Sequence, residues 1–148
     1  MADHVRVLVR DAIMTRITGL ASGAVVHKRR VYPLQADTEL PAYHVHVESD
    51  SNESSDIHAP ALVERMVEYH IEGVAAGVDD SIDDTLNAMG KEVEAALATA
   101  VTAGGKQVFL IYGGCTFDFE DGAKRAGVVD MVFRALIFNS ANTPDVLS

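Results

Sequence analysis

Apolar and polar positions alternate from Ala61 to Ala75, with Val63, Val67, Tyr69 and Ile71 on one side and Glu64, Glu68, His70 and Glu72 on the other. A repeat of two is the signature of a strand buried on one face only. Past Gly77 the repeat changes. Ile82, Leu86, Met89, Val93 and Leu97 recur at spacings of three and four, which places them along one stripe of a helix. Asp79 or Ser81 suits its N-cap, and Asp80, Asp83 and Asp84 place negative charge at the positive end of the helix dipole. The same period occurs near the start of the chain. Val5, Leu8, Val9, Ala12, Ile13, Ile17 and Leu20 predict a helix over Asp3 to Leu20, closed by Gly19 and Gly23.

Strands account for the rest. A short one runs through Ala24-Val25-Val26 towards a turn at Pro33, and a second alternates Tyr43, Val45 and Val47 with His44, His46 and Glu48. Residues 48–60 carry loop chemistry throughout, which predicts a long, mobile acidic loop. Its Asn52-Glu53-Ser54 sequon is read as chance. After a turn at Thr102 to Lys106, the segment Val108 to Tyr112 is apolar on both faces, and Gly113-Gly114 predicts a bulge or sharp bend. Cys115, Phe117 and Phe119 continue on one face, and Asp121-Gly122 marks a turn. The last strand, Val128 to Phe138, is apolar on one side and largely apolar on the other, and residues 139–148 read as a loose tail.

The order α-β-β-β-α-β-β predicts a single α+β domain over residues 1–148, with an antiparallel or mixed sheet of about five strands and two helices on one face. Two helices leave the other face bare. The closing strand is apolar there too, so a second subunit is expected to cover Val128, Val132, Leu136 and Phe138.

Composition narrows the function. The chain has 148 residues, 48% of them hydrophobic, one cysteine and a net charge of −10. A lone Cys115 forms no internal disulfide and builds no cysteine zinc cage. Neither a signal-peptide pattern nor an apolar run of membrane-spanning length is present, so a soluble, cytoplasmically made protein is expected. Thirteen acidic residues stand against Arg65 and Lys91 between Glu48 and Glu94, and the remainder of the chain is close to neutral. Such a balance opposes free-standing nucleic-acid binding. It suits a surface that avoids DNA or one that meets a basic partner.

Candidate chemistry is sparse. His44 and His46, with Glu48, share one strand face, and His70 lies with Glu64, Glu68 and Glu72 on another, so a divalent metal could sit between them if the strands pair in register. Alternating polar residues are also what any solvated sheet face displays, and that reading is preferred. Cys115, with no histidine near it in sequence, reads as core packing. Nucleotide, hydrolase and phosphate-loop motifs are absent, so neither a cofactor nor catalysis is expected. The basic run His27-Lys28-Arg29-Arg30 reads as a charged edge strand, with DNA or an acidic partner as the alternative.

Taken together, the layout resembles the tail terminator proteins of long-tailed phages and gene transfer agents, the family of minor tail protein U. The resemblance rests on the helix ending near Ile17-Thr18-Gly19-Leu20, on Arg30-Val31-Tyr32-Pro33, and on Glu39-Leu40-Pro41 leading into Tyr43 to Val47. It continues through the acidic loop, Glu68 to Glu72, the helix from Asp79 to Leu97, Thr116 to Glu120 and the strand Val129 to Ile137. It implies a non-enzymatic virion protein, made in the bacterial cytoplasm and placed at the tail–neck junction. Members form a ring, commonly a hexamer, that caps the tail tube, stops its polymerisation and presents the surface for head joining. The implied partners are copies of itself, the tail tube protein and a head-completion or neck protein, with DNA passing through unbound and no membrane. On that reading Asp50, Glu53 and Asp56 contact a partner, and Lys28, Arg29 and Arg30 lie near the channel. Another neck protein, such as a head-closure or head–tail joining factor, and a small metal-dependent enzyme are the alternatives.

Overall fold

The computed structural model describes residues 2–28, 40–52, 59–77, 81–119 and 125–148. Its elements are α1 (Val5–Ile17), β1 (Val25–Lys28), β2 (Ala42–Asn52), β3 (Leu62–Gly77), α2 (Ser81–Ala96), β4 (Val101–Ala103), β5 (Lys106–Val108), β6 (Leu110–Phe119) and β7 (Arg125–Ser140). Five strands make one mixed sheet in the order β1-β2-β3-β7-β6, with β1 parallel to β2 and the other pairs antiparallel. The α+β class and the element order match the sequence pattern. One element was not anticipated: β4 and β5 form a separate hairpin, turned by Gly104 and Gly105 at φ 53° and 76°. In the sequence this hairpin looked like a bare turn.

The long β3–β7 ladder runs from Leu62 opposite Ser140 to Gly77 opposite Arg125. Odd-numbered residues of both strands face the helices. Val67, Tyr69 and Ile71 lie opposite Ala135, Phe133 and Met131, and all are buried. Tyr43 and Val45 of β2 extend this face. The predicted stripes cover it: Ile82, Leu86, Met89, Val93 and Leu97 from α2 and its end, and Val5, Val9, Ile13 and Ile17 from α1. Both helices therefore pack on the same side. Gly73 lets α2 approach the sheet, since a Cβ there would stand 3.3 Å from Met89 Cε, and it makes room for its strand neighbours Val129, whose Cγ1 would be 2.9 Å away, and Tyr43.

Polar ties fix the helices in place. The Tyr69 hydroxyl donates to the Arg6 carbonyl of α1 at 2.7 Å, and the Tyr43 hydroxyl donates to the Met89 carbonyl of α2 at 3.2 Å and to Glu92. Burial pushes both phenol pKa values upward, so both remain donors. Glu92 also accepts from the Ser22 backbone and hydroxyl, which joins α2 to the turn after α1. Arg16 of α1 donates to the carbonyls of Ala96 and Ala100 at 3.1 and 2.8 Å, placing a cation at the negative end of α2.

Two expectations need correction. β2 continues through Asn52, so residues 48–52 of the expected loop are strand, and residues 53–58 lie outside the described residues. Nor is the C-terminal segment loose. Val5 N–H donates to the Pro144 carbonyl at 2.8 Å, Ser148 N–H donates to Phe138 at 2.9 Å, and Leu147 is buried. The tail caps the end of the core beside α1, where an apolar Leu147 side chain finds cover.

Candidate assembly surface

Even-numbered residues of β3 and β7 point away from both helices. Along β3 this open face carries Glu64, Met66, Glu68, His70, Glu72 and Val74, and opposite them on β7 stand Phe138, Leu136, Arg134, Val132, Asp130 and Val128. The four interface candidates Val128, Val132, Leu136 and Phe138 therefore share one face. Val128 and Val132 are half-buried between neighbouring strands, whereas Leu136 and Phe138 are exposed.

The largest exposed apolar groups lie one strand further out. Phe109 is 70% exposed, and Ile111 lies directly opposite Arg134 on the open face. Phe109, Ile111, Leu136, Phe138 and Leu147 line a concavity of about 340 Å³ at the start of β6. β6 is one of the sheet's two outer strands, and among the described residues no strand lies beside its far edge. A register shift between Tyr112 and Gly114, with Gly114 at φ 112°, is the predicted bulge. Beyond it Cys115, Phe117 and Phe119 return to the helix side, as their alternation predicted, but α2 does not reach far enough to bury them. Cys115 is exposed, which overturns the core-packing expectation. With Tyr112 it lines a second concavity of about 170 Å³ beside Gly90, Lys91 and Glu94 of α2. Hydrogen bonding to Cys115, then burial, pushes the Tyr112 phenol upward. β6 is thus apolar on both faces ahead of its bulge and, among the described residues, paired along one edge only. The sequence signal was present in the apolar run Val108 to Tyr112; its position at the sheet edge was not.

The histidines occupy the middle of the open face. His46 lies opposite His70, with ring centroids 5.5 Å apart, while His44 lies opposite Glu72 and its ring is 5.8 Å from that of His27 on β1. The structure joins His46, Glu48 and His70 and leaves His44 outside that group. Among the partner-loop candidates, Asp50 is on β2, where Arg6 and Arg65 each donate to its carboxylate at 2.9 Å. That carboxylate is committed to joining α1, β2 and β3. Glu53 and Asp56 lie outside the described residues, as do Arg29 and Arg30, while Lys28 is exposed at the end of β1.

With this surface defined, the fold can be placed among solved ones. A chain from the solved virion of a native gene transfer agent particle superposes on this one. The two share a fold. Their TM-score is 0.62 at 15% identity, covering 91% of this chain and 98% of that one. A second solved chain at 15% identity overlaps 88% of this one with a TM-score of 0.47, too low to carry an argument. No protein-family model matches the sequence, and no curated protein matches it significantly. No helix among the described residues is long and apolar enough to cross a membrane.

Proposed function

We propose that this chain is a structural subunit of a phage or gene transfer agent particle, and more specifically a tail terminator. In this role copies assemble into a ring, with the hexamer as the expected form, that caps the tail tube, ends its polymerisation and offers the surface to which the head joins. The observation that carries the proposal is the apolar end of the sheet, where Ile111 of the outer strand β6 and its neighbours Phe109, Leu136 and Phe138 are exposed among the described residues. A strand with apolar faces and a bare edge is a liability in a lone molecule and a ready contact in a ring. The shared fold with a gene transfer agent virion chain supports the setting. Nothing in the reading calls for catalysis or a cofactor.

The partners on this reading are neighbouring copies, the tail tube protein and a head-completion or neck protein. DNA passes through the ring without specific contact, past an acidic body carrying a net charge of −10. The acidic segment around Glu53 and Asp56 faces a partner protein, and Lys28, Arg29 and Arg30 lie nearer the channel. Electron microscopy of particles from a deletion strain tests the function directly. Overlong or unattached tails are the expected result. Normal tails beside heads that leak DNA would instead identify a head-closure factor and overturn the terminator reading.

A further inference from the structure

We propose that His46, Glu48 and His70 form a divalent-cation site of zinc-type chemistry on the open face of the sheet. One donor atom from each residue lies within 4.8 Å of the others. Strand pairing accounts for the two imidazoles, since His46 and His70 are directly opposite across the β2–β3 ladder. A register shift accounts for the carboxylate. The ladder passes from Val47 opposite Tyr69 to Ser49 opposite Glu68, leaving Glu48 as the extra residue of a bulge. That bulge turns Glu48 back toward His46, with its carboxylate 3.1 Å from Nε2. Bulges commonly re-aim a side chain in this way.

Two further observations bear on which ring nitrogens ligate. His46 is only 7% exposed, and its Nδ1 is buried without a hydrogen-bond partner among the described residues. The site uses the other ring nitrogen: Nε2 faces the Glu48 carboxylate, and a cation held between the two is ligated by both while Nδ1 carries the proton. His70 is already prepared for metal binding. Its Nδ1 is 3.0 Å from Asp130 Oδ2 on β7, so an Nδ1–H donated to that carboxylate leaves the Nε2 lone pair free. A carboxylate behind a ligating histidine is the usual support of a metal site, fixing the tautomer and raising ligand basicity. Glu68 stands 3.6 Å from the same Nε2 and adds negative charge. Among the described residues of β3 and β7 on this face, Arg134, 4.0 Å from Glu68, is the one cation, against Glu64, Glu68, Glu72 and Asp130.

Two imidazoles and one carboxylate favour zinc and related borderline metals over magnesium or calcium, which prefer oxygen alone. Tetrahedral zinc holds its donors about 3.4 Å apart, so small side-chain rotations close the site, and the fourth position takes water. The cation would join β2 to β3 directly and β7 through Asp130. The site does not depend on ring assembly.

The test uses untagged protein freed of metal with a chelator, then titrated with zinc chloride, cobalt chloride and magnesium chloride. Zinc at a hundredfold excess over its Kd is expected to raise Tm by roughly 5–10 °C. Cobalt should give the visible absorption of a four-coordinate site, bleached by zinc, and magnesium should do neither. E48Q and H70A are both expected to lose at least tenfold in zinc affinity, whereas H44A should retain it. E48Q alters an exposed carboxylate, so it remains informative if H70A fails to fold. Absence of zinc and cobalt uptake, or undiminished uptake by E48Q, would overturn the proposal.

Discussion

The two faces of the β3–β7 ladder come from the same strands, residue by residue in alternation, and do opposite work. The helix-covered face buries Val67, Tyr69 and Ile71 against Phe133, Met131 and Ala135, and two helices seal it. The open face presents histidines and carboxylates at its middle and apolar groups at one end. One face is closed within the molecule. The other is organised, with paired histidines, ordered ion pairs and an apolar concavity, yet none of the described residues forms a layer over it. Organised side chains on an uncovered face are what a contact surface requires, and that contrast is the physical ground for the assembly reading.

Truncation on the two faces should separate them most sharply. Leu86 is fully buried on the covered face, so Leu86→Ala should cost about 2–5 kcal/mol in denaturant unfolding. At the apolar end of the open face, Phe109→Ser and Ile111→Ser replace side chains that are 70% and 56% exposed and should cost the lone subunit less than about 1 kcal/mol. Their effect belongs to self-association, read as a lower mass in solution or a failure to enter particles. If both faces proved equally costly in the monomer, the contrast would collapse.

Next in size are the contacts that hold the covered face together. Gly73→Ala should cost about 1–3 kcal/mol, because the new Cβ would crowd Val129 Cγ1 at 2.9 Å and the Tyr43 ring. Arg16→Ala should cost about 1–2 kcal/mol, since it strips the Ala96 and Ala100 carbonyls of their donor at the end of α2. Thermal unfolding of both variants checks the order. An Arg16→Ala loss exceeding that of Leu86→Ala would mean that one cap outweighs a core side chain.

Much of this was legible in the chain because it follows from periodicity. The stripe Ile82 to Leu97, the alternation around Tyr69 and the apolar second face of β7 come from spacing, and the bulge from the Gly113-Gly114 pair. Reach and pairing did not. Cys115 alternates correctly to the helix side, but sequence carries no measure of how far α2 extends across the sheet. Asp50 looked like loop chemistry because its partners, Arg6 and Arg65, are distant or on another strand. The tail looked loose because what anchors it is one leucine, Leu147, and backbone hydrogen bonds to Val5 and Phe138, none of which leaves a periodic pattern. The histidine group was visible as residue types, but its membership depended on register, which joined His46 to His70 and left His44 beside His27.

The smallest expected effect lies at the start of α1, on the covered side. His4 caps that helix, with Nδ1 accepting from the Arg6 backbone N–H at 3.2 Å, which only an unprotonated nitrogen can do. Burial, followed by the charges of Arg6 and Arg65, lowers its pKa below the ordinary imidazole value, and Asp50 opposes the shift. The unfolded chain therefore takes up a proton near pH 6.5, where the folded chain still resists it. Below that pH the unfolded state carries more protons, so stability falls as pH decreases towards the folded value; above it the contribution is complete and flat. His4→Asn keeps a capping oxygen and removes the titration. Between about pH 5 and 7 the Tm of the variant should then vary less steeply than that of the parent, with the two curves parallel at higher pH. Equal slopes across that window would show that the imidazole does not couple to folding at this helix end.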